Sequence, residues 1–211
     1  MFIAAMVVNA RRRRREIAAQ LAALGFSHNL KPDAVAKAEA FNRTGRMLLL
    51  KTGPRGVVSY ASGIVEGQEV WLVEHQYTTG SGKSRQVHKH IVAATPCPRA
   101  WPDLSVTPEN LFDKIAGLMG RKDLSLESEA FNKRWKILAE NEDFALLVLS
   151  PSVQDWAMRL PKSHQVHIGS GALCVVVSRF IRPAEYGPFC RLPLELAALL
   201  PQELAEWLLK E

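Results

Sequence analysis

The sequence predicts an α+β fold: antiparallel sheet hairpins packed with helices, framed by amphipathic helices at the N- and C-termini. Three observations carry this expectation. Strand-like runs follow one another across hairpin-length turns, helical stretches are bunched in groups, and 47% hydrophobic against 23% charged residues is enough to bury a core. A parallel sheet would need strands alternating one for one with crossover helices, and that pattern is missing from the 211 residues.

Met1 to Val8 reads MFIAAMVV, all apolar, and a run of five arginines follows at Arg11, Arg12, Arg13, Arg14 and Arg15. A secretory signal carries its charges before its apolar run, not after it. Eight residues are too few for a bilayer, which takes about 20. The order apolar then basic is that of the cytoplasmic end of a membrane helix. A helix starting at Arg11 would stack like charge on its positive dipole end, so the helix is expected to start near Phe2. Ile17, Leu21 and Leu24 then form one apolar stripe, and Gly25 ends the helix. Two readings follow. Either the chain starts inside a longer membrane helix, or residues 1–25 are an apolar stub and basic amphipathic arm of a peripheral protein. A solvated charge run on an ordinary soluble helix is the plain alternative.

Residues 26–211 form the α+β domain, as one unit or as two sub-domains meeting near 94–108. Residues 33–41 read as a short helix after Pro32. MLLLK, GVVSYASG, EVWLVEHQY and QVHKHIVAA then read as a strand meander, punctuated at Gly53-Pro54, Glu66-Gly67 and Thr79-Gly80-Ser81-Gly82. ATPCPRAWPDL is a proline-rich connector. Thr107-Pro108-Glu109 has the form of a helix start, with LFDKIAGLMG behind it, and 124–126 is a brief strand. Phe131, Trp135 and Ile137 sit at odd spacings and suit a strand with one buried face. Asn141 is placed to cap a helix carrying Phe144, Leu147 and Val148, with Glu142 and Asp143 at its positive end. Ser150-Pro151 stops that helix and starts another with the stripe Val153, Trp156, Ala157 and Leu160. HQVHI and ALCVVVS flank Gly169-Ser170-Gly171 as a hairpin, and LELAALLPQELAEWLLKE closes the chain as one or two amphipathic helices.

Taken together, these elements resemble an uncharacterised bacterial family. The resemblance rests on Gly63-Ile64-Val65-Glu66-Gly67, Tyr77-Thr78-Thr79-Gly80-Ser81-Gly82-Lys83, Phe131-Asn132-Lys133-Arg134-Trp135, Asp143-Phe144-Ala145, Leu149-Ser150-Pro151 and Trp156, and covers roughly residues 11–180. It implies a membrane-anchored protein with an Arg-rich stretch beside the membrane and an α+β domain on the cytoplasmic side. It implies no activity, catalytic residue or ligand.

The net charge of +6 is nearly accounted for by the arginine run, so the basic pI of about 9.4 does not describe a basic surface all over. Cys97, Cys174 and Cys190 are odd in number and widely spaced, which excludes a complete disulfide framework and suits a reducing compartment. Thr79 to Ser84 ends like a phosphate loop. However, Tyr77 occupies the position of the required glycine and a strand follows instead of a helix, so a hairpin tip is expected. His75, His88 and His90 lie on the two arms of that hairpin and are the candidate metal ligands, set against ordinary polar residues on a solvated sheet face. His164 and His167 are expected on opposite faces. No nucleophile–base pair, dinucleotide fingerprint or zinc-protease motif is present, so no catalytic residue or cofactor is assigned. The expected role is therefore non-enzymatic and membrane-associated or protein-binding. It would be cytoplasmic, peripheral to or anchored in the inner membrane, with Arg11 to Arg15 as its anion contacts. Nucleic-acid binding through the same arm, aided by Lys83, Arg85 and Lys89, ranks second; an enzyme of unrecognised type is the remaining alternative.

Overall fold

The structure, a computed structural model, describes residues 2–30, 56–109, 122–205 and 207. Its centre is one nine-stranded sheet in the order β1-β2-β3-β4-β9-β8-β5-β7-β6, antiparallel at every pairing. The strands are β1 (Ser27–Leu30), β2 (Val57–Val65), β3 (Gln68–Thr79), β4 (Gln86–Pro96), β5 (Leu104–Pro108), β6 (Lys122–Leu124), β7 (Trp135–Ala139), β8 (His164–Gly169) and β9 (Ala172–Val177). Among the described residues five α-helices accompany them: α1 (Phe2–Ala23), α2 (Glu129–Asn132), α3 (Glu142–Val148), α4 (Pro151–Arg159) and α5 (Tyr186–Leu199).

Alternation along the strands divides the sheet into two faces. Val70, Leu72, Ile91, Ala93, Leu173 and Val175 point to the larger core, which also holds Ile17 and Leu21 of α1, Phe144 and Val148 of α3, Trp156 of α4 and Leu196 of α5. Val57, Tyr60, Val73, Val92, Ala94, Cys174 and Val176 form a second cluster on the opposite face. Every residue of β8 and β9 is buried, which accounts for the continuous apolar run LCVVV where one-sided burial would require alternation.

The expected unit at 131–160 is observed with one change. The Asn141 side chain accepts a hydrogen bond from the Phe144 N–H at 2.9 Å, Glu142 and Asp143 occupy the first turn of α3, and Pro151 opens α4. Trp135, Ile137, Phe144, Val148 and Trp156 are buried together, with Leu147 packed partly exposed against them. Phe131 is on a helix, not a strand. The Ser128 side chain caps α2 by accepting from the Phe131 N–H, and that turn drops Phe131 into the core just before β7 begins at Trp135.

Three further expectations are corrected. Thr107 and Pro108 close strand β5 instead of starting a helix, because Leu104 and Val106 alternate into the core and pair with β7. Pro108 stands at the strand end, where its missing N–H disrupts no interior ladder bond. The closing helix begins at Tyr186, earlier than its apolar repeat suggested, and takes Pro193 into its interior. The brief third strand of that region is 122–124 instead of 124–126. The expected elements at 33–41, 47–51 and 111–120 and the turn at 53–54 lie outside the described residues.

Candidate functional site

Helix α1 is fixed to the domain by its C-terminal half. Ile17 and Leu21 are buried, and the helix ends as its sequence predicts: Gly25 adopts φ +76°, its N–H donates to Ala22 O at 3.0 Å, and the Phe26 N–H donates to Leu21 O at 2.9 Å. Phe26 then packs directly on Gly63 of β2, where a Cβ would lie 2.9 Å from its ring, and Leu24 packs over Gly187 of α5. A second anchor lies further up the helix. The Arg13 guanidinium donates to Ile181 O at 3.2 Å and sits 4.4 Å from the centroid of the Phe180 ring. Lys89 of β4 stands over the same ring at 3.6 Å.

The two anchors give α1 its direction. Gly63 is level with Val70 on β3, whereas Lys89 is level with Gln76, further towards the β3–β4 hairpin tip. From Arg13 to Phe2 the helix therefore runs on for about 16 Å towards the tip end of the sheet. Among the described residues no helix is long and apolar enough to cross a membrane.

This end of the molecule combines cations with exposed apolar side chains. Val87 and Phe180 are 48% and 52% exposed, and Val87 shares the strand face of Lys89. The tip is a single 3-10 turn, Gly82–Ser84, closed by the Ser84 hydroxyl donating to Ser81 O at 2.8 Å, and it carries Lys83 and Arg85. It leads into a strand, so the Gly-Lys-Ser triplet is a hairpin tip and not a phosphate loop. Behind Phe180, Arg179 and Arg182 converge on Glu185 at 2.7 and 3.2 Å. The hydrogen bond from Arg179, then the Arg182 backbone N–H, hold that carboxyl down to about 2. Burial, then the nearby Arg13 cation, lower the Lys89 ammonium pKa.

Of the five arginines, Arg12 pairs with Glu16 at 2.9 Å, Arg13 faces the domain and Arg15 is exposed. The side chains of Arg11 and Arg14 lie outside the described residues. Phe180 and Val87 are the residues that sequence reasoning missed. The available signal was Arg179-Phe180-Ile181-Arg182, an apolar pair between arginines just past a strand.

The candidate metal ligands lie on the opposite face. His75 is level with His90 and Tyr77 with His88, so all three imidazoles gather as the hairpin register allows. The Tyr77 ring stacks on His88 at 4.7 Å and on His90 at 5.7 Å, so a phenol occupies the space that converging ligands would need. Tyr77 and Trp71 are half-buried here, not strand core as their apolar character suggested. One ring nitrogen on each of His88 and His90 is also engaged. His88 Nε2 lies 2.8 Å from Thr79 Oγ1, and His90 Nδ1 lies 3.0 Å from Ser178 Oγ, which accepts from Gln165. Burial, then the neighbouring His75 and His88, lower His90 to about 4. Among the described residues no group of three or more His, Cys, Asp or Glu side chains is arranged to hold a metal.

His164 and His167 do point apart, His164 to Phe189 and His167 to Ser105. Burial pushes the Cys97 thiol up to about 11 and the Cys174 and Cys190 thiols up to about 12, which leaves all three as poor nucleophiles at neutral pH. The Ser170 hydroxyl, in the β8–β9 turn, donates at 3.1 Å to Oδ1 of Asp103, just before β5, a structural bond.

No family model and no curated protein matches the sequence. Among solved structures the chain is similar to the crystal structure of the mycobacterial trehalose monomycolate transport factor A, TtfA, at 12% identity and a TM-score of 0.57, covering 89% of this chain and 95% of that one. At that identity the two share a fold.

Proposed function

We propose that this chain is a non-enzymatic domain that docks on an anionic membrane surface, on its cytoplasmic side, and serves there as an accessory factor to a transport process. One observation carries the reading: the N-terminal turns of α1 and the β3–β4 hairpin tip project from the same end of the sheet, with exposed Phe180 and Val87 among Arg13, Lys83, Arg85 and Lys89. Apolar side chains entering the headgroup region, ringed by cations facing lipid phosphates, are the two components of peripheral membrane binding. Each cation near an anionic leaflet contributes about 1 kcal/mol. Basic residues beside a membrane also favour its cytoplasmic face. The transport part of the reading rests on the likeness in fold to a protein named as a transport factor.

Co-sedimentation with phosphatidylglycerol vesicles tests the docking. Binding falls steeply with added salt, and replacing Arg12 and Arg15 by Gln costs about 2 kcal/mol, a drop of roughly thirtyfold in partitioning. Phe180→Ser lowers binding further without changing its salt dependence. If the protein ignores anionic vesicles at low salt, or a nucleic-acid column retains it through the same arginines while vesicles do not, the reading fails.

A further inference from the structure

A groove of about 790 Å³ opens at the far edge of the sheet, between residues 124–128 and helices α2, α3 and α4. Leu126, Leu146 and Met158 form part of its apolar lining, and Leu146 is 48% exposed although its helix neighbours Phe144, Ala145 and Val148 are fully buried. Glu127, Glu142 and Asp155 stand exposed on the same lining. Among the described lining residues every charged side chain is a carboxylate, on a chain whose net charge is +6.

We propose that this groove binds a basic amphipathic helical segment of a partner protein, its apolar side chains over Leu146 and its Lys or Arg side chains on the three carboxylates. The combination of apolar floor and one-signed rim specifies that occupant. A compact polar ligand is disfavoured because two of the lining's polar side chains already serve the fold: Ser128 caps α2, and the Gln154 amide donates to Leu149 O at 2.8 Å. A second copy's α1 is disfavoured because that helix is tied to its own domain through Arg13, Ile17 and Leu21, and a head-to-tail contact would propagate into open chains. Segments flanking membrane helices have the required composition. The inference stands apart from membrane docking, since none of the lining belongs to α1, to the hairpin tip or to the Phe180 turn.

The test uses the full chain and a fluorescein-labelled peptide of Leu and Lys at helical spacing, with a scrambled peptide of the same composition as control. Fluorescence anisotropy is expected to give saturable binding of the amphipathic peptide and at least about tenfold weaker binding of the scrambled one. Glu127→Gln with Asp155→Asn, and separately Leu146→Ser, each weaken the amphipathic peptide by about tenfold or more. All these positions are exposed, and thermal melts verify that the variants fold; the carboxylate pair suffices should Leu146→Ser unfold. Vesicle binding by the same variants stays at the native level, which separates this site from the membrane-docking end. Equal affinity of native protein and variants, equal binding of the scrambled peptide, or concentration-dependent self-association that the variants abolish would each overturn the proposal.

Discussion

Phe144 has no solvent-exposed surface and lies 5.4 Å from the ring of Trp207 and 5.9 Å from that of Trp101. Phe144→Ala should therefore cost about 3–5 kcal/mol in a urea titration, the loss of a buried aromatic plus its cavity. Asn141→Ala removes the α3 cap and should cost about 1 kcal/mol in the same titration. His90 predicts a pH effect. Its pKa is lowered in the folded state from 6.5 to about 4 by burial and by His75 and His88, so between those values the unfolded chain binds a proton that the native protein does not. Stability accordingly rises with pH through that window and is lost as pH falls from about 6.5 towards about 4. His90→Asn should flatten this slope, as read from urea midpoints across the window. At this scale the sequence was informative: Asn141, Phe144 and Trp156 sit where their residue types predict. Phe180 was not legible, since its placement depends on Arg13 and on Lys89 over its ring, both distant in the chain.

Local signals predicted the elements well wherever tertiary packing agreed with them. The α1 stop is an example, because Gly25 and the stripe before it specify the same terminus. Where packing disagreed, it won. Thr107-Pro108-Glu109 has the chemistry of a helix start, yet burial of Leu104 and Val106 between β7 and β8 holds it in the sheet. Phe131 has a strand's spacing from Trp135, but the Ser128 cap turns it into α2. The attachment of α1 depends on both of its anchors, the Gly25–Phe26 end and Arg13. Gly25→Ala forces a side-chain residue into positive φ with open space around it, so the cost is backbone strain of about 1–2 kcal/mol. Gly63→Val drives its side chain into Phe26 and should loosen the whole helix. Hydrogen exchange is expected to accelerate across residues 13–24 in Gly63→Val while the β8–β9 ladder keeps its protection.

At the scale of the molecule, one antiparallel sheet holds two separate surfaces apart: a basic, partly apolar end formed by α1, the hairpin tip and Phe180, and an acidic groove beside α3 and α4. The fold class was legible because hairpin-length turns join β2 to β3, β3 to β4 and β8 to β9, but the strand order was not, since β9 pairs with β4, distant from it in the chain. The arginine run drew attention to the N-terminus, and only the sheet register aligns that helix with the tip of a hairpin more than sixty residues away. The claim that this end meets the membrane is tested most directly by an environment-sensitive fluorophore on Ser81→Cys at the tip, compared with one on Ser152→Cys on α4, both positions exposed. The native thiols compete poorly for the label, with Cys174 and Cys190 buried and Cys97 raised to about 11. Adding phosphatidylglycerol vesicles should blue-shift the emission from position 81 and leave position 152 unchanged. An unshifted tip, or an equal shift at both positions, would contradict docking by this end.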